Sequence, residues 1–123
     1  MYFKKNKYRN SKVKLEDGTV FDSRKEFNRY LELVQMQQDG LITDLRCQHV
    51  INLIPKQKLD KPRISKGGRK VLHEQAVDYI ADFTYKDVTG NLVVEDTKGF
   101  KTKDYILKRK LLKYIHGIEI SEI

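Results

Sequence analysis

Two segments of this chain alternate with the period of a β-strand, yet carry ionisable side chains where a strand of that composition wants an apolar interior. In residues 75–85 a regular strand puts Val77, Tyr79, Ala81, Phe83 and Tyr85 on one face and Asp78, Ile80, Asp82 and Thr84 on the other. Residues 87–91, containing Gly90, turn the chain, and residues 92–98 return as an antiparallel partner closed by Gly99. On the returning strand Asp96 and Lys98 share one face, with Glu95 and Thr97 on the other. If the hairpin registers about Gly90, Asp82 comes within reach of Asp96, since opposite Cβ atoms stand about 4.5–5.5 Å apart and longer diagonals remain in range.

A charge inside such a hairpin is costly and needs a reason. Two facing carboxylates repel unless a proton or a metal separates them, and a pair of oxygen ligands with water and phosphate filling the shell suits Mg²⁺ or Mn²⁺. Lys98 beside that ion fits phosphodiester hydrolysis, which requires an activated water and neutralisation of the charge that builds on phosphate and leaving group.

The flanking sequence supplies the rest of an α/β domain. Asp17-Gly18 is a favourable hairpin turn between residues 12–15 and 19–21. Ser23 and Glu26 have capping-box spacing, and Phe27, Tyr30, Leu31 and Val34 recur on one helical face before Gly40, which predicts a helix over 24–39. Residues 45–54, with Val50, Ile51, Leu53 and Ile54, suit a strand ending at Pro55. Thr102 can cap a second helix that runs to His116 on a stripe of Ile106, Leu107, Lys110, Leu111, Tyr114 and Ile115, and Ile118, Ile120 and Ile123 suggest a last short strand. The expected order is helix, three strands, helix, strand, with a mixed central sheet and a small leading hairpin.

With 123 residues and 25 basic against 17 acidic side chains, the chain is one domain long and carries a charge of +8, which favours a polyanion as partner. The bases concentrate in residues 56–70, where Lys56, Lys58, Lys61, Arg63, Lys66, Arg69 and Lys70 face only Asp60, and Pro62 and Gly67-Gly68 predict a mobile loop. Its composition suits contacts to a nucleic-acid backbone; a solvated linker is the plainer reading. Lys101 and Lys103 are further candidates for phosphate. Residues 1–11 read as a basic arm that orders on its partner, and residues 12–123 as a single domain.

No apolar run is long enough to span a membrane, and neither helix joins a basic face to large exposed apolar residues, so no membrane partner is expected. The charged start of the chain predicts a cytoplasmic protein. The lone Cys47 has no second thiol for zinc and reads as a small core residue, and His49, His73 and His116 share no ligand spacing.

Asp82 in Tyr79-Ile80-Ala81-Asp82-Phe83, followed by Asp96-Thr97-Lys98, resembles the PD-(D/E)XK nuclease superfamily in its D-x-K form, with Ala81 where a proline usually precedes the first aspartate. The runs Phe21-Asp22-Ser23-Arg24-Lys25-Glu26, Ile54-Pro55-Lys56-Gln57 and Val93-Val94-Glu95-Asp96-Thr97-Lys98-Gly99-Phe100 look like a family of small phage-borne domains of that superfamily. The resemblance implies a restriction-endonuclease-like core, with Asp82, Asp96 and Glu26 as metal ligands, Lys98 as the motif's catalytic lysine that orients the attacking water or stabilises negative charge, and a host-cytoplasmic location if phage-encoded. It also implies a Mg²⁺-dependent DNA endonuclease. Analogy with junction-resolving members points to branched or Holliday-junction DNA and a homodimer.

Each residue also has a plainer reading. Glu26 can serve only the Ser23 cap, and Asp82, Asp96 and Lys98 can form a structural ion pair. Glu95 becomes a ligand only if a bulge reverses the strand, and Gln48 is a reserve contact to water or phosphate. A non-catalytic DNA-binding or scaffold protein is the rival class, and RNA stays open as substrate because nothing in the sequence reads a 2′-hydroxyl.

Overall fold

The computed structural model describes residues 2–5 and 11–123, with side chains described from residue 12 onward. Strands β1 (Tyr2–Lys5), β2 (Ser11–Lys14) and β3 (Val20–Phe21) form an antiparallel sheet around the Asp17-Gly18 turn, where Gly18 takes a φ of +94°. The leading hairpin is therefore three-stranded. Tyr2–Lys5, expected within a basic arm, pairs along β2, and residues 6–10 of that arm lie outside the described residues.

Helix α1 (Arg24–Gln38) begins at Ser23, whose hydroxyl accepts from the Glu26 amide at 3.1 Å. It ends where Gly40, at φ +77°, lets its own amide and that of Leu41 reach back to the carbonyls of Gln37 and Met36. The buried stripe is Glu26, Phe27 and Leu33, flanked by Tyr30 and Met36; Leu31, expected on it, faces solvent. Helix α2 (Lys103–His116) is capped by Thr102 and closed by Gly117 at φ +69°. It buries Tyr105 and Leu112, so the expected stripe is displaced and Leu107, Tyr114 and Ile115 are exposed.

The main sheet is mixed, in the order β4 (Thr43–Ile54), β7 (Val77–Lys86), β8 (Leu92–Asp96), β9 (Ile120–Glu122), antiparallel except for the parallel pair β8–β9. The segment expected as a loop over 56–70 is instead a second hairpin, β5 (Gln57–Ile64) and β6 (Lys70–Glu74), turning at Gly68 with φ +78°. Pro62 is tolerated because it falls in an irregular stretch of the β5–β6 register, where no ladder amide is required of it.

Two apolar clusters cover the main sheet. One joins Phe27 and Leu33 of α1 to Phe83 and Tyr85; the other joins Tyr105 and Leu112 of α2 to Tyr79, Ala81 and Val94. Val93 packs with the first and its neighbour Val94 with the second, so the clusters lie on opposite faces. The single-faced alternation expected of β7 is consequently broken: Tyr79 and Ala81 face α2, whereas Phe83 and Tyr85 face α1. The same switch occurs on β4, where Cys47 packs with the α1 cluster and Ile51 and Leu53 with the α2 cluster. Its cause is local. Gln48 has a φ of +52° and lies between the pairs Cys47↔Phe83 and His49↔Ala81, hence opposite Asp82. A left-handed residue in a strand resets which way its successors point.

Phe83, wholly buried beside this switch, is a direct check on the packing. Phe83→Ala is expected to cost about 3–5 kcal/mol in urea-unfolding free energy.

Candidate functional site: a carboxylate cluster at the face switch

The β7–β8 ladder ends with Phe83 paired to Glu95, and the next residues on the two strands, Asp82 and Asp96, come close enough for the Asp82 charge to act on Asp96. Both aspartates are buried, Asp96 completely. Each is held by one oxygen. Asp82 Oδ2 accepts from the Thr97 amide at 2.8 Å and the Thr97 hydroxyl at 2.7 Å, and Asp96 Oδ2 accepts from the Tyr79 hydroxyl. Asp96 Oδ1 is buried without a hydrogen bond, its counter-charge being Lys98 Nζ at 3.4 Å. The lysine lies over the Tyr105 ring, 5.4 Å from its centre, and is about one-third exposed.

Glu26 reaches the same place from the first turn of α1. Its Oε2 accepts from the Asp22 amide at 3.2 Å, and its Oε1 accepts from Gln48 Nε2 at 3.1 Å. The left-handed turn at Gln48 thus both switches the sheet face and delivers a side chain to Glu26. A cavity of about 250 Å³ opens here, lined by Asp22, Lys25, Glu26, Asp82, Thr97 and Lys98 among others.

The electrostatics follow from the crowding. Burial, with the Asp82 charge next, raises Glu26 from 4.5 to about 7. Burial and the facing Asp82 raise Asp96 from 3.8 to about 6, while the Tyr79 hydroxyl and Lys98 pull it back. The Tyr79 hydroxyl is pushed well above its ordinary range, chiefly by burial and then by Asp96. Burial, then the charges of Glu26 and Asp82, lifts the Cys47 thiol to about 11, so it is no nucleophile at neutral pH.

A family model described as "Protein of unknown function (DUF1064)" matches residues 5–120, which takes in every element from β2 to α2 and the first residue of β9. The chain belongs to this family. No curated protein and no solved structure matches it. The family's description names no activity, so the chemistry of this DUF1064 chain rests on its side chains.

Among the described residues, no three His, Cys, Asp or Glu side chains are already arranged as a metal cage. The acidic cluster instead offers an orphaned carboxylate oxygen, a repelling pair and a cationic side chain at its rim. Glu95, adjacent to Asp96, is not part of it. It turns to the α1 face, where Arg29 grips both oxygens at 2.8 and 2.7 Å and the Tyr85 hydroxyl donates as well. The structure also gathers Gln48 into the site, and adds Thr97 and Tyr79, which sequence reasoning missed; Thr97 lies inside the D-x-K triplet, but Tyr79 has no local signal.

The seven basic residues from Lys56 to Lys70 lie on or beside the β5–β6 hairpin, away from the cluster. Lys103 is exposed at the start of α2, and Lys101 is partly neutralised by Glu122 at 3.6 Å. Among the described residues, no helix is long and apolar enough to cross a membrane.

Two expectations follow. Arg29→Ala strands a buried, bidentate Glu95 and should cost about 3–5 kcal/mol in urea unfolding, whereas Arg29→Ala with Glu95→Gln recovers much of it. Because Glu26 and Asp96 are raised, the folded chain binds protons more tightly than the unfolded chain between about pH 4 and 7. In a chelating buffer their contribution to stability is therefore greatest at the acid end and is lost as pH rises through 7, by on the order of 3 kcal/mol for Glu26. The stability difference between wild type and Glu26→Gln, measured by urea unfolding from pH 4 to 8, should move against the wild type as pH increases.

Proposed function

We propose that residues 12–123 form one PD-(D/E)XK-like nuclease unit that hydrolyses DNA phosphodiester bonds with Mg²⁺ or Mn²⁺. The observation that carries the reading is the close approach of two buried aspartates just past the end of the β7–β8 ladder, one with an orphaned oxygen and with Lys98 3.4 Å from it. Donor chemistry fits a hard cation: Asp82, Asp96 and Glu26 would hold it, all through oxygen. Mg²⁺ commonly binds one or two carboxylates and keeps several waters, so a complete protein cage is not required. When bound, the ion would acidify a water and draw charge from the phosphate.

The protein's own groups have separable tasks. Thr97 and Tyr79 each fix one oxygen of Asp82 and Asp96, which leaves the other oxygen of each available. Gln48 and the Asp22 amide orient Glu26. Lys98 donates protons from Nζ, so it can hold a water by hydrogen bonding or balance negative charge on phosphate, and its stem on Tyr105 limits where the ammonium can go. An endonuclease choosing branched or junction DNA, and acting as a homodimer, rests on analogy with junction-resolving members of the superfamily.

The test is cleavage of single-stranded, duplex, flap and four-way-junction DNA with Mg²⁺, Mn²⁺ or EDTA. Asp82→Asn and Lys98→Met should each lower the rate by about 100-fold or more while DNA binding persists. Binding without metal-dependent scission in the wild type would instead favour a DNA-binding scaffold.

A further inference from the structure

The central β4–β7 hairpin does not stop at the edge of the main sheet. Ile54 pairs with Val77, and three residues further along each strand Gln57 pairs with Glu74, so β5 and β6 prolong the same hairpin past Pro55. Neither core cluster includes a residue from this extension, and β5 and β6 pack extensively only on one another. The result is a projecting two-stranded ribbon.

Its charge is one-sided. Lys56, Lys58, Lys61, Arg63, Lys66, Arg69 and Lys70 are all exposed, and the acids between residues 56 and 74 are Asp60 and Glu74 alone. Glu74 is taken by Arg63 at 2.5 Å. The other six cations have no ion pair among the described residues. Lysines on free strand edges also discourage edge-to-edge pairing, but that task does not call for a ribbon that leaves the core.

We propose that the β5–β6 ribbon is a duplex-DNA-binding arm that lies in the major groove, about one helical turn from the Asp82–Asp96 site. The B-form major groove, about 12 Å wide, admits a two-stranded ribbon, whereas the deep, narrow major groove of an RNA duplex does not. A single strand offers no groove. The cations would meet the phosphates on both rims. At about 3.3 Å per residue, the ribbon spans roughly 25–45 Å along the strand from Asp82, which corresponds to about 8–13 base pairs. That spacing from the cut rests on the nuclease reading; the groove contact does not.

The experiment is fluorescence anisotropy in EDTA with a labelled 24-base-pair DNA duplex, the matching single strand and the same duplex in RNA. Wild type should bind the DNA duplex more tightly than the other two. The triple variant Lys58→Ser, Lys61→Ser, Lys66→Ser should bind at least tenfold more weakly, with a log–log salt slope shallower by roughly 2–3. The triple change of the same lysines to arginine should retain binding, which separates loss of charge from loss of fold. Equal affinity of the serine variant and wild type overturns the arm, as does equal affinity for all three nucleic acids. Ribbon-dependent duplex binding by a wild type that never cuts DNA would sink the nuclease reading and leave the arm standing. If DNA is cut, shortening the duplex on one side of the cut below about 8 base pairs should weaken wild-type binding and leave the serine variant unchanged.

Discussion

Asp82 and Asp96 crowd one another just past the end of the β7–β8 ladder, buried where water screens them little, and much of the surrounding structure manages that conflict. Thr97 gives Asp82 two hydrogen bonds, Tyr79 donates to Asp96, and Lys98 supplies the nearby positive charge. Glu26 adds a third acid whose own partners are a backbone amide and Gln48. These donors lower the cost of the cluster without removing it, as the raised proton affinities of Glu26 and Asp96 record. A fold that only needed stability would put apolar side chains here.

The contrast between adjacent residues sharpens this point. Glu95 and Asp96 are equally sequestered, but Glu95 has a permanent cation, bidentate geometry and a tyrosine donor, and so resembles a closed structural pair. Asp96 keeps one oxygen unbonded. Strand alternation sends the two carboxylates to opposite faces, one to be neutralised by α1 and the other to join the cluster. The residues are interchangeable in composition and distinct in what their faces provide.

Most elements were legible because their punctuation is chemical: Ser23 and Thr102 open the helices, Gly40 and Gly117 close them, and Gly90 turns the β7–β8 hairpin. The opposition of Asp82 and Asp96 was legible for the same reason, since a short turn fixes the register. What was not legible depends on backbone states that residue type does not announce. Nothing about glutamine specifies a φ of +52°, so the face switch at Gln48, the split of Ala81 from Phe83 and the contact with Glu26 were hidden together. Proline, paired glycines and charge density in residues 56–70 imitate a loop where the chain forms a ribbon. Its strands are brought together by the β4–β7 hairpin that they prolong past Pro55, which is not a local property.

Site and ribbon lie along one long hairpin with opposite charge, the site midway on β4 and β7 and the ribbon at the turn end, and that division would serve a phosphate-handling protein. Three clustered acids repel a polyanion, and in the proposed reading they can approach a phosphate only with a cation between. Long-range attraction must then come from elsewhere. A ribbon with most of its cations unpaired can supply it, and because β5 and β6 continue from β4 and β7, the place where DNA would be gripped and the place where it would be cut lie along one hairpin. Separating the charges also keeps them apart: lysines beside the acids would pair with them, at the expense of both metal and DNA. Two lysines do line the cavity: Lys25 donates to the Ile123 carbonyl at 2.6 Å, and the Lys98 ammonium sits at the rim of the cluster on an aromatic ring, where it balances one orphaned oxygen without filling the cavity.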